Sequence, residues 1–317
     1  MSLVTVTVDM DNYQDYQSLV DRDGRADAAS FYADAVPRFL ELLARFELRA
    51  TFFVVGRDAV VPAHGPVLRA IAAAGHEVAN HSWSHPYNFR GLPRAEKERE
   101  IATAEAAIAD AVGERPVGFR TPSCDVDAET LAVLGERGYL YDSSIFPTPV
   151  MWAFMVYGKL FVRRPDYKLG HPAAVFAPPR PYRPSARRAY RRCAPGERTP
   201  GPLEIPVAVV PGLRVPFYTT LLRLFGPAGF RLLVRARDRR SPLHVLFHLI
   251  ELADLTSSSL GDALSRTPGL GLPLARRERF VAAAFEILAG AGTPGTMREL
   301  AEAWTVAHPC DEAAHAG

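Results

Sequence analysis

The run Leu3-Val4-Thr5-Val6-Thr7-Val8 limits what this chain can become more than any other stretch. Its residues are β-branched or apolar, so it offers water no polar face and reads as a buried strand. It stops at Asp9-Met10-Asp11-Asn12, which is polar and strand-breaking. Similar short runs recur at 50–55, 76–80, 117–120, 139–142, 203–207 and 243–248. Helical spacing fills the intervals. From Phe31 to Leu48, the residues Phe39, Leu42, Leu43 and Phe46 share one face, with Pro37 near the first turn. A further helical stretch ends at Ala74, where Gly75 is placed to stop it. Others are expected over 93–111, from a cap at Asp125 to Arg137 with Gly138 closing it, and over about 217–235, 276–289 and 296–306. Strand and helix in alternation predict parallel βα units, either doubly wound or a barrel.

Two stretches depart from this rhythm. Residues 13–30 read as polar and irregular. Residues 147–202 are rich in proline and arginine and lack a period, which predicts a partly looped excursion over one face. No repeat or linker divides the chain, so one domain over 1–317 with an insertion at about 147–202 is expected. An α/β barrel fits 317 residues as one unit. Composition, with 48% apolar and 23% charged residues, is that of a globular protein. A net charge of +2 argues for neither nucleic acid nor membrane as the main partner. Arginines concentrated between 163 and 240 read either as a solvated basic face or as a contact for phosphates or a membrane surface. The three cysteines, Cys124, Cys193 and Cys310, are widely spaced and odd in number, which suits a reducing compartment. With the first strand at residue 3 and no apolar run of ~18 residues, the expectation is a cytoplasmic chain without a spanning helix.

Chemistry-bearing residues fall at the carboxyl ends of the expected strands, where parallel sheets build active sites. Asp9 and Asp11 follow the first strand, His81 and His85 the third, Arg120 the fourth, and His248 the last. His81 and His85 have a spacing that lets two imidazoles face one ion; the alternative is two surface histidines flanking Trp83. Asp9 and Asp11 either divide the roles of ligand and general base or are solvated turn residues. Arg120 is placed either to pair with Asp9 and keep it ionised or as a surface arginine before a proline turn. His248 follows four apolar residues and is either structural or turned into a pocket.

These motifs together resemble the polysaccharide deacetylases, the zinc-dependent carbohydrate esterase family 4 group with a NodB-like domain. Thr7-Val8-Asp9-Met10-Asp11 matches the first motif, with Met10 separating aspartates that are usually adjacent. That variant resembles a subgroup containing intracellular amide and imide hydrolases. His81-Ser82-Trp83-Ser84-His85 matches the second motif fully, Arg120-Thr121-Pro122 the third, and Leu246-Phe247-His248 the last. The layout is similar to deacetylases of exopolysaccharide clusters. The resemblance implies a distorted, incomplete (β/α) barrel of about seven strands. It implies Asp11, His81 and His85 as ligands to Zn2+, with Co2+ or Ni2+ as substitutes, Asp9 as general base, Arg120 as the residue that orients it, and His248 as general acid. The implied reaction removes an N-acetyl or other N-acyl group from an amino sugar, free, nucleotide-linked or lipid-linked. N-formyl sugars, cyclic imides and ureides are alternatives, as is a non-catalytic glycan-binding role.

Overall fold

The structure, a computed structural model, describes residues 2–20, 30–161, 168–194, 197, 201–255 and 271–308. Strand β1, Leu3–Asp9, is buried along almost its whole length and sorts its side chains by the period of two. Val4, Val6 and Val8 enter a cluster with Phe39, Phe52 and Phe247, so Thr5, Thr7 and Asp9 face the other way. Helix α1, Tyr13–Val20, follows, where the sequence alone suggested irregular chain. Asn12 Oδ1 accepts the N–H of Tyr13 at 2.9 Å, and the Asn12 N–H donates to Asp15 at 2.9 Å. The polar residues that hid the helix are the ones that start it. Residues 21–29 of that stretch lie outside the described residues.

Helix α2, Tyr32–Arg45, leads to β2, Ala50–Val54. Two short helices, α3 at Gly56–Ala59 and α4 at Gly65–Ala73, precede β3, Glu77–Asn80. Then come α5 at Arg94–Val112, β4 at Gly118–Phe119, α6 at Ala128–Glu136 and β5 at Tyr141–Asp142. Gly75 and Gly138 close α4 and α6 with φ of +78° and +72°, values that cost glycine nothing. The cap of α6 is Asp127, whose side chain accepts the Thr130 N–H at 2.8 Å, and not Asp125. Asp125 is drawn away to accept the N–H of Arg90 at 3.2 Å.

The proline- and arginine-rich stretch is more regular than its composition suggests. It contains helix α7, Val150–Phe161, and a hairpin of β6, Pro184–Ser185, with β7, Arg188–Arg192. Helix α7 shows no hydrophobic period because it is apolar nearly all round. Residues 162–167 of the stretch, like Cys310, lie outside the described residues. Strand β8, Leu203–Glu204, follows. The single helix expected over 217–235 is two, α8 at Thr219–Leu222 and α9 at Gly226–Ala236. They are separated where Gly226 takes φ +63° ahead of Pro227. Strand β9, Leu243–His248, helix α10, Leu274–Ala289, strand β10, Thr293–Pro294, and helix α11, Met297–Ala307, complete the order.

The main sheet is parallel throughout, in the order β9-β1-β2-β3-β4-β5-β8, with β10 pairing beside the start of β1. Its ladder ends at β8, yet the chain beyond β8 reaches both sides. Ile205 donates to Asp142 at 2.8 Å, and Ala208 donates to the His244 carbonyl at 3.2 Å. The result is an incomplete (β/α) barrel. Helices pack outside it, and Phe39 of α2 meets Phe52 and Phe247 edge-on at 6.5 and 6.4 Å. Truncating a core phenylalanine of this kind costs about 3–5 kcal/mol. Because the strands are parallel, the carboxyl ends of β1, β3, β4 and β9 open onto one end of the barrel. Among the described residues, no helix is long and apolar enough to cross a membrane.

Candidate metal and catalytic centre

After Asn80 the chain turns through His81 to His85 as a tight loop, without a helical turn. Ser82 and His85 take φ of +67° and +55°, a left-handed backbone that non-glycine residues adopt at a cost of about 1–2 kcal/mol each. A dense set of hydrogen bonds holds it there. The Ser82 N–H donates to Asn80 Oδ1 at 2.8 Å and the His85 N–H to Ser82 Oγ at 3.2 Å. Glu100 of α5 accepts the N–H groups of Trp83 and Ser84 at 3.0 and 2.8 Å. The two imidazoles are thereby brought to 5.1 Å between ring centroids.

Both turn toward Asp11. His81 Nε2 and His85 Nε2 each lie 3.3 Å from Asp11 Oδ1. The three residues place one ligand atom each within 4.8 Å of the others. The Arg120 carbonyl, which only accepts, lies 2.8 Å from His81 Nδ1. That nitrogen therefore carries the proton, and Nε2 presents a lone pair. Asp15 Oδ1 lies 3.6 Å from His85 Nδ1 and favours the same tautomer there. Asp11 Oδ1 is buried and makes no hydrogen bond. Lone pairs aimed at one another in this way repel unless a proton or a cation stands between them. Two imidazoles and one carboxylate fit a divalent metal.

The titration of these groups supplies a test. Burial opposes charge on His85, but the carboxylates of Asp11 and Asp15 outweigh it and lift the imidazole from 6.5 to about 9. Burial likewise pushes the Asp11 carboxyl up, yet His85 and His81 hold it well below the usual carboxylate range. In the metal-free protein a proton therefore sits where a metal would, and the metal must displace it. Apparent metal affinity is expected to rise by about tenfold per pH unit, levelling near the His85 value of about 9. Stability of the metal-free fold runs the other way. A raised pKa stabilises fully below 6.5, and that contribution is lost as pH climbs toward about 9. Calorimetric titration with metal across this window checks the first claim, which a pH-independent affinity would contradict.

Behind the Asp11 cluster lies a second one. Arg120 is 1% exposed and holds Asp9 Oδ1 through Nη1. Its other donors reach Thr7 Oγ1 at 3.2 Å, the Ser143 carbonyl at 2.8 Å, Ser143 Oγ at 3.0 Å and His244 Nε2 at 3.0 Å. The guanidinium also stands 4.0 Å over the Phe53 ring. His244 accepts from Arg120 only while neutral. Burial first, then the charge of Arg120, keep it well below its ordinary value. Asp9 is thus fixed in angle by a fork that is itself held at every arm. His248, in register with Asp9 across the β1–β9 pair, is 19% exposed. Its Nε2 is 4.0 Å from both Asp9 Oδ2 and Asp11 Oδ2, and its ring meets Tyr218 at 5.5 Å. Burial pushes the Cys124 thiol up to about 12, which favours the thiol over the thiolate.

All six residues singled out from the sequence, Asp9, Asp11, His81, His85, Arg120 and His248, lie in these two adjoining clusters. Asp15, Glu100, Ser143 and His244 were missed. Asp15 had a signal, since Asn12-x-x-Asp15 has the form of a capping box. His244 had one too, as a polar residue on the inward period of an apolar strand.

Residues 23–141 match the family model for polysaccharide deacetylase. Over this stretch the chain is similar to the polysaccharide deacetylases. Chitin deacetylase 1 of Cryptococcus neoformans is 30% identical to it over 116 residues, 37% of this chain and 22% of that protein. A chitooligosaccharide deacetylase of Bradyrhizobium is 36% identical over 103 residues, 32% of this chain and 46% of that one. The chain thus matches less than half the length of either relative. A crystal structure from Mycobacterium smegmatis assigned to the polysaccharide deacetylases superposes over 96% of this chain and 91% of its own. Its TM-score is 0.57 at 22% identity, a likeness of fold.

Proposed function

We propose that this protein is a zinc-dependent hydrolase that removes an N-acetyl or related N-acyl group from an amino sugar. The observation that carries this reading is the convergence of Asp11 Oδ1, His81 Nε2 and His85 Nε2 within 4.8 Å, beside an Asp9 locked by Arg120. Zinc suits a two-histidine, one-carboxylate set, and cobalt or nickel would be accepted in vitro. When bound, the metal supplies Lewis acidity toward an acyl oxygen and lowers the pKa of water. The remaining work belongs to side chains. Asp9, held by Arg120, accepts the proton of the attacking water. Its charge is kept in place by the guanidinium, so no rearrangement is needed as the proton moves. His248 donates a proton to the departing nitrogen, which is too basic to leave as an anion. Products are a short carboxylate and a free amine. The relatives named for chitin and chitooligosaccharides favour N-acetylglucosamine units as substrate.

A screen of N-acetylated sugars for acetate release, with and without chelator, tests the reading. Separate detection of formate and ring-opened product distinguishes N-formyl and imide chemistry. Release that chelator leaves untouched would exclude the metal. Within this scheme His248→Gln is expected to lower kcat by about 10²–10⁴-fold while leaving metal content unchanged. Loss of metal together with rate would move His248 from acid to ligand.

A further inference from the structure

Helix α7 has apolar residues on both faces, and among the described residues only one of them is covered. On the inner face Phe154 meets Tyr218 at 6.1 Å, and Tyr218 in turn meets His248. On the outer face Trp152, Val156 and Leu160 follow one another at single-turn spacing and are 44%, 57% and 70% exposed. Phe176, 75% exposed, extends this stripe by packing against Trp152 at 6.1 Å. An apolar patch of this continuity marks a partner surface.

Charge chooses the partner. Neither α7 nor β7 contains an aspartate or glutamate. Their exposed charges are Lys159 on α7 and Arg188, Arg191 and Arg192 on β7. Strand β7 is tied to the same surface, since Tyr190 stacks on His171 at 4.6 Å beside the turn Pro172–Phe176. A second copy of this chain would bring basic residues face to face across a twofold axis, which repels. A glycan would stack on flat rings, whereas this stripe alternates rings with branched aliphatics. Tryptophan, aliphatic and cationic side chains together, with no acid on α7 or β7 themselves, are what an interfacial helix presents to anionic lipid.

We propose that α7 and the Pro172–Phe176 turn dock on the surface of an anionic phospholipid bilayer, setting the catalytic mouth at the level of the headgroups. Twelve residues of helix reach about 18 Å, too short to span, so α7 lies in the interface plane. The apolar stripe enters the acyl boundary while Lys159 and the β7 arginines meet phosphates.

Flotation with vesicles of mixed phosphatidylglycerol and phosphatidylcholine, against phosphatidylcholine alone, tests this directly. The wild-type protein is expected to float with the anionic vesicles and to release as salt rises. Val156→Glu with Leu160→Glu is expected to weaken partitioning by about tenfold or more, and Lys159→Glu by about fivefold. These side chains are exposed, and unchanged thermal melting attributes the loss to the surface. A wild-type protein that stays behind, or charge-reversed variants that float as well as wild type, would overturn the proposal. So would a dimer in light scattering that Leu160→Glu dissolves. Flotation needs no turnover, so its outcome is separate from that of the deacetylase reading.

Discussion

Replacing Asp11 with alanine is expected to weaken divalent-metal binding by at least about a hundredfold and to remove N-deacylation with it. Losing a residue that merely supports a ligand costs about 10–100-fold in affinity, so losing the only anionic donor of the set costs more. The geometry explains why no neighbour substitutes. Asp15 lies behind His85, on its Nδ1 side, and is committed to Arg57. Asp9 is held by Arg120. The variant leaves two imidazoles with no carboxylate to oppose their protonation, so His85 also loses a main cause of its raised pKa. Calorimetric titration of metal-free protein with zinc measures the effect. Wild-type affinity in Asp11→Ala would sink the assignment of the ligand set.

Arg120→Met is the second large effect, and it concerns the fold as much as the chemistry. Methionine keeps much of the volume but none of the donors. The Ser143 carbonyl, Asp9 and Thr7 each lose a bond from Arg120, and Asp9 remains as a buried, uncompensated charge. Breaking a buried pair from one side costs about 3–5 kcal/mol. A large fall in thermal stability is therefore expected, with activity lost in whatever remains folded. Arg120→Lys should recover little, because one ammonium cannot serve Asp9, Ser143 and His244 at their separate angles. A melting curve superimposable on wild type would show that the fork is dispensable.

How much of this was legible beforehand varies with the physics involved. The alternation of Thr5, Thr7 and Asp9 against Val4, Val6 and Val8 declared both the strand and its inward face. Strand ends then fixed the common edge on which Asp9, His81, Arg120 and His248 gather, because parallel strands leave no other arrangement. Spacing failed where two conformations share it. The interval from His81 to His85 was compatible with a helix or a loop, and only tertiary bonds from Glu100 and Asn80 decide for the loop. Long-range support was invisible for the same reason: nothing local ties His244 to Arg120. Periodicity also failed on α7, since a helix apolar on both sides has no period to read.

The pairing of β1 has a consequence for the order of events during synthesis. Its Val4–Asp9 edge finds its partner only in Leu243–His248, about 240 residues later. At roughly 5–20 residues per second a ribosome needs on the order of ten to fifty seconds to supply that strand. Until then a valine-rich edge stands open, the kind of edge that recruits other chains. Contacts of such separation form late and slowly. Asp9 and His248 therefore come into register at the close of folding, so the nascent chain passes through a long interval in which it already carries Asp9, Asp11, His81 and His85 but not His248.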